Sequence, residues 1–139
     1  MFQKIMVAYD ESPEAGRALQ IAIGLAKALG ADLKVVTVLE PLPSYLSYAA
    51  SAAAVFDWED EKRARYTALQ EQARKQAAAA GLYLDSALIP GDEVESIIEC
   101  AQKHQSDRLV LGMRKHGLLI GHTGQQVAER SPCAVLGVR

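Results

Sequence analysis

"KIMVAYDESPEAGRALQIAIGLAKALG", Lys4 to Gly30, passes from a short apolar run to a longer amphipathic one. That succession decides the fold. Lys4–Tyr9 is brief, largely apolar and stopped by polar residues, as a strand buried on both faces of a parallel sheet would be. Ser12 is placed to cap a following helix with Pro13 at its first position. Ala18, Ala22, Leu25 and Leu29 recur at helical spacing, and Gly30 stops the helix.

The alternation continues along the chain. Asp32–Glu40, Leu82–Ile89, Asp107–Gly112 and Ala134–Val138 read as four more strands. Between them, Glu59 to Gly81 is strongly helix-forming, and its charge run reads as a solvated face. A third helix starts at Asp92, with Glu95 completing a capping box, and a short one lies around Thr123–Arg130. Pro41–Trp58 breaks the pattern. Its prolines and its Tyr, Ala and Phe content suggest a loop that folds over the domain or packs on a partner through Tyr45–Phe56. Five strands separated by helices predict a single α/β domain over residues 1–139, a three-layer sandwich of parallel sheet with helices on both faces and right-handed crossovers. Ligands of such sheets bind beyond the carboxyl ends of the strands. Those ends carry Tyr9–Asp10, Val38–Glu40, Ile89–Gly91 and Gly112–Arg114, so the candidate chemistry converges on one rim.

Half of the 139 residues are hydrophobic and 23% charged, with a net charge of −2. That balance argues against non-specific nucleic-acid binding, which needs many Lys and Arg against phosphates. No apolar run reaches the roughly 18–20 residues that span a bilayer. Asp10 interrupts the apolar start where a signal peptide would continue, which predicts a cytoplasmic protein. Cys100 and Cys133 lie far apart without a CxxC pattern and read as reduced, packed thiols. A phosphoacceptor domain is excluded because Leu88–Ile89–Pro90 stands at the end of the third strand where an Asp is required. There is no GxGxxG after the first strand, no GxSxG elbow, no HExxH and no Cys–His pair. His104, His116 and His122 are too scattered to suggest a metal site, and no nucleophile stands beside a base. Catalytic residues are therefore not assigned.

"KIMVAYDESPEAGRAL", "PGDEVESIIECAQKHQSDRLVLG" and the ending "SPCAVLGVR", in this order and spacing, resemble the universal stress protein family over essentially the whole chain. The resemblance implies a sheet of order 3-2-1-4-5. It also implies a homodimer in which the last strands, with Ala134, Val135, Leu136 and Val138, pair antiparallel. An uncovered apolar edge gives that pairing a physical motive.

The same resemblance makes "GMRKHGLLIGHTG", Gly112–Gly124, the stretch that decides ligand binding. Family members that hold ATP carry Gly-x2-Gly-x9-Gly-Ser/Thr after strand four, where main-chain amides cradle phosphates. Here Gly112 matches the first glycine and Gly121 the last, with eight residues between them instead of twelve. Gly117 stands in for the middle glycine, and His122 occupies the Ser/Thr position beside Thr123. If a nucleotide binds, the resemblance puts Asp10 near adenine or ribose and Ala8 and Val38 on the base. Gly112, Gly121, His122 and Thr123 would surround ribose and phosphates, with Arg114 and Lys115 attracting the anion. Two readings stand side by side. In the first, the shortened turn leaves weak or no ATP binding, and the protein is a cytoplasmic homodimeric stress-response binding protein. In the second, ATP or ADP binds with Mg²⁺ and the protein is a nucleotide switch or slow ATPase.

Overall fold

A computed structural model describes residues 2–114 and 123–139. The strands are β1 (Lys4–Ala8), β2 (Asp32–Leu39), β3 (Leu84–Pro90), β4 (Arg108–Gly112) and β5 (Ala134–Val138). The helices are α1 (Pro13–Leu29), α2 (Ser44–Ser47), α3 (Ala52–Ala79), α4 (Glu93–His104) and α5 (Thr123–Arg130). All four strand pairings are parallel, in the order β3-β2-β1-β4-β5.

Side chains alternate across the sheet, so each strand feeds two cores. Ile5, Val7, Leu33, Val35 and Val110 face Ala18, Leu19 and Ala22 of α1 and Ala73 and Ala77 of α3. Met6, Val36, Leu109 and Leu111 face Ile97, Ile98 and Ala101 of α4 and Val127 of α5. The central strands β1 and β4 are buried on both sides, which is why they read as continuous apolar runs.

The helix boundaries follow the caps. The Ser12 hydroxyl accepts from Ala15 N–H at 3.2 Å, Pro13 opens α1, and Gly30 closes it at φ 63°. The Asp92 carboxylate accepts from Glu95 N–H at 3.0 Å. The reciprocal half of the expected box is diverted, because the Glu95 carboxylate pairs with Arg130 of α5 at 2.7 Å.

Three expectations need correction. The buried stripe of α1 is Ala15, Ala18, Leu19, Ala22, Ile23 and Ala26, while Leu29 is 49% exposed. The third strand starts at Leu84, two residues later than expected, and runs into Pro90; as an edge strand it tolerates the proline. Pro41–Trp58 is largely helical: α2 follows Pro43, and α3 begins at Ala52, where Ser51 accepts from Ala54 N–H at 3.1 Å. Alanine's helix propensity and the Ser51 cap outweigh the local apolarity that suggested a loop. Tyr45, Tyr48 and Phe56 remain 73%, 92% and 65% exposed, so they do not fold over the domain.

Candidate functional site

The carboxyl ends of β1, β2 and β4 open into a cleft of about 310 Å³. Parallel strands all end on the same side, and the crossovers to α1 and α4 leave the central ends uncovered. The floor is apolar: Ala8 and Val36 come from the sheet, with Val38, Leu111, Ile97 and Val127 around them. Charged and polar groups line the upper walls. Asp10 follows β1, Glu40 follows β2, Glu93 opens α4 and Arg114 follows β4, while Lys62 and Tyr66 reach in from α3.

Asp10 is held twice. One carboxylate oxygen accepts from Ser12 N–H at 2.8 Å, and the other lies 3.7 Å from the Arg114 guanidinium. Glu93 lines the cleft together with Glu40 and Asp10, and its carboxyl is pushed up to about 7. Burial is the main cause, followed by Glu40 and then Asp10, with Arg114 acting the other way. Tyr66 and Tyr9 are both raised, first by burial and then by nearby carboxylates.

Most of the expected nucleotide contacts come together here. Ala8, Asp10, Val38, Gly112, Arg114 and Thr123 all line the cleft. Gly117, Gly121 and His122, with Lys115, lie outside the described residues. Of the four strand ends expected to share the rim, Ile89–Gly91 does not contribute. Gly112 has a second task. A Cβ there would stand 2.6 Å from Glu14 C, 2.7 Å from Ala15 N and 2.8 Å from Glu14 Cβ, so the end of β4 requires glycine to let the first turn of α1 approach. Gly124 and Gly137 make room for Met113 in the same way, with the site of each Cβ 2.6–2.7 Å from a Met113 side-chain atom.

Sequence reasoning missed Glu93, Lys62 and Tyr66. Glu93 and Tyr66 look like ordinary helix positions, and Lys62 belongs to a charge run assigned to solvent. The signal that existed was the position of Glu93 directly after the Asp92 cap, at the end of α4 nearest the rim. Among the described residues no group of three or more His, Cys, Asp or Glu is placed to hold a metal ion.

At the far edge of the sheet, β5 pairs with β4 and has no further strand among the described residues. Its side chains are not equally free. Val138 belongs to the core on the α1 face, Leu136 packs against that core, and Val135 packs against the opposite one. Ala134 and Gly137 are exposed. Any pairing along this edge therefore rests on main chain with Ala134, Val135 and Leu136, and the expected contribution of the Val138 side chain is taken up inside the chain.

The universal stress protein family model matches residues 1–139. A universal stress protein of Thermus aquaticus is 36% identical over 143 aligned positions, covering the whole of both chains. Among solved structures, the universal stress protein UspA from Lactobacillus plantarum matches with a TM-score of 0.86 at 22% identity, over 99% of this chain and 98% of that one. A universal stress protein in complex with cAMP matches with a TM-score of 0.75 at 26% identity, over 99% of this chain and 97% of that one. With its sheet order, its rim cleft and this match along its full length, the chain belongs to the universal stress protein family.

Proposed function

We propose that this chain is a cytoplasmic, homodimeric stress-response protein that acts by binding. Its rim cleft takes an adenine nucleotide with a single phosphate in preference to ATP. The observation that carries this reading is how few cations meet the cleft: among its described lining residues Arg114 and Lys62 face Asp10 and Glu40, with Glu93 adding its charge only as pH rises through about 7. A carboxylate about 8 Å from a phosphate costs about 2 kcal/mol at an effective dielectric near 20. Each additional phosphate charge therefore weakens binding unless fresh cations meet it. The apolar floor suits a base, and the Arg114 side suits one phosphate.

Two further points support the reading. Gly112 and Gly121 are separated by eight residues, so the segment between them has fewer amides to offer a triphosphate than the twelve-residue spacing that the resemblance implies for ATP-holding members. A solved relative at 26% identity holds cAMP, a nucleotide with one phosphate. Homodimerisation is proposed through β5, whose outer edge would otherwise present unpaired main-chain groups.

Calorimetric titration of nucleotide-free protein with AMP, cAMP and ATP plus Mg²⁺ tests the ligand. AMP or cAMP is expected to bind at least about tenfold more tightly than ATP, a difference of about 1.4 kcal/mol. Tighter binding of ATP, with hydrolysis above the no-protein rate, would reverse the conclusion in favour of a nucleotide switch.

A further inference from the structure

Helix α3 is longer than the sheet it covers. Its 28 residues span about 42 Å, against about 27 Å for the eight residues of β2. Its fully buried residues, Gln70, Ala73 and Ala77, all lie in its second half. The same face continues towards the N-terminus at helical spacing through Tyr66, Lys62 and Trp58, each half-buried between exposed neighbours. Beyond the sheet that face looks over the rim, where Tyr66 and Lys62 line the cleft.

The helix is fixed where it passes the rim. The Gln70 side-chain amide donates to the Ala87 carbonyl of β3 at 2.8 Å, and Arg65 pairs at 3.2 Å with Glu11 in the β1–α1 connection. One turn further on, the Lys62 ammonium lies 4.6 Å from the centroid of the Trp58 ring and 5.6 Å from that of Tyr66. Two aromatic rings, one turn to either side, hold the cation in place without neutralising it. Arg114, the other cation of the cleft, stands 3.7 Å from Asp10. Lys62 forms no ion pair among the described residues, although Asp10 and Glu40 share the same lining. A half-buried ammonium without a counter-charge gains from any anion that enters beside it.

Resting on the nucleotide reading above, we propose that Lys62 takes the ligand's phosphate from the α3 side of the cleft and that Trp58 senses its arrival. A phosphate replaces a cation–π contact with a charge-assisted hydrogen bond and draws the ammonium away from the indole. The flexible four-carbon stem and three donors of lysine permit that reach while the stem stays against Tyr66. With Arg114 after β4, the phosphate then meets two cations from two different elements. An unphosphorylated nucleoside exerts no such pull, so Lys62 selects for the phosphate and leaves the base to the apolar floor.

AMP and adenosine share base and ribose and differ in the phosphate, which makes them the probes. Titration calorimetry at low salt should show Lys62→Met weakening AMP about tenfold and adenosine less than about twofold. Rising salt should shrink the AMP difference. Lys62→Arg keeps a cation that stacks on aromatic rings, so its AMP affinity should stay within about threefold of wild type. Methionine preserves most of the stem, so Tm should move by no more than about 2 °C. Trp58 is the protein's sole tryptophan. Its emission should change when AMP saturates the wild type, and should stay constant with adenosine or in Lys62→Met.

Equal loss of AMP and adenosine affinity in Lys62→Met, an AMP affinity left unchanged, or a Trp58 emission that AMP does not alter overturns the role of Lys62 and leaves the nucleotide site standing. Absence of binding by AMP and cyclic AMP to the wild type removes the nucleotide site, and the role of Lys62 with it.

Discussion

Replacing Gly112 with alanine separates two reasons for a glycine at the end of β4. One is a ligand that must approach the main chain, as in a phosphate cradle; the other is the protein's own packing. The added methyl would lie 2.6 Å from Glu14 C, 2.7 Å from Ala15 N and 2.8 Å from Glu14 Cβ. None of these is the tip of a flexible side chain. All belong to the first turn of α1, which Asp10 and Ser12 pin through hydrogen bonds of 2.8 Å to Ser12 N–H and 3.2 Å to Ala15 N–H. Relief therefore means displacing a capped helix start. Overpacking of this kind costs about 2–3 kcal/mol. For a domain of this size that lowers Tm by on the order of 10 °C. Gly24→Ala is the matched control: it is an exposed mid-helix position with nothing within 4 Å of the new methyl, and should gain about 0.5–1 kcal/mol. Thermal unfolding of nucleotide-free protein followed by circular dichroism reads both. If Gly112→Ala keeps the wild-type Tm yet loses nucleotide affinity, the packing argument is refuted and the glycine serves the ligand alone.

Three other outcomes are expected. Glu93 carries a folded pKa of about 7, above its unfolded value, so its stabilising contribution is complete below about pH 4.5 and is lost as pH rises through 7. Glu93→Gln should thus be nearly neutral at pH 5 and stabilising at pH 8.5, by at most about 3 kcal/mol, roughly halved for partial exposure; chemical denaturation at the two pH values checks the sign. Arg114→Ala breaks an exposed 3.7 Å pair with Asp10 and should change stability by less than about 1 kcal/mol while weakening AMP binding several-fold, an effect that fades at high salt. Wild-type protein at tens of micromolar should sediment as a dimer, and Val135→Asp should shift it towards monomer; a wild-type monomer would count against pairing along β5.

The parts of the fold most legible in the sequence were those where one local signal carried the information. Pro13 after Ser12, Gly30 after the α1 pattern and Asp92 ahead of α4 each act within a few residues, and each cap forms, although Glu95 turns to Arg130 instead of completing the box. The spans of α5 and β5 also agree with the expectation. Local signals failed where two of them competed. From Pro41 to Trp58 the prolines and the apolar Tyr, Ala and Phe content spoke for a loop packed on the domain or a partner, yet Ser51 and three successive alanines start α3 at Ala52. In α1 the apolar spacing could not tell Leu29, at the solvent end, from Leu19 in the core, because depth depends on where the sheet ends.

For the site, the residues at strand ends were legible because a parallel sheet delivers every carboxyl end to one rim. Sequence alone therefore determined the sheet, its covering helices and the rim on which the cleft opens. The tertiary structure decided what that place is made of. It brought Glu93 of α4, Glu40 after β2 and Lys62 and Tyr66 of α3 to the same cleft. It also pressed α1 onto Gly112. Periodicity records which face of an element is buried, whereas the environment of a charge depends on which distant elements close around it. The raised pKa of Glu93 follows from that enclosure.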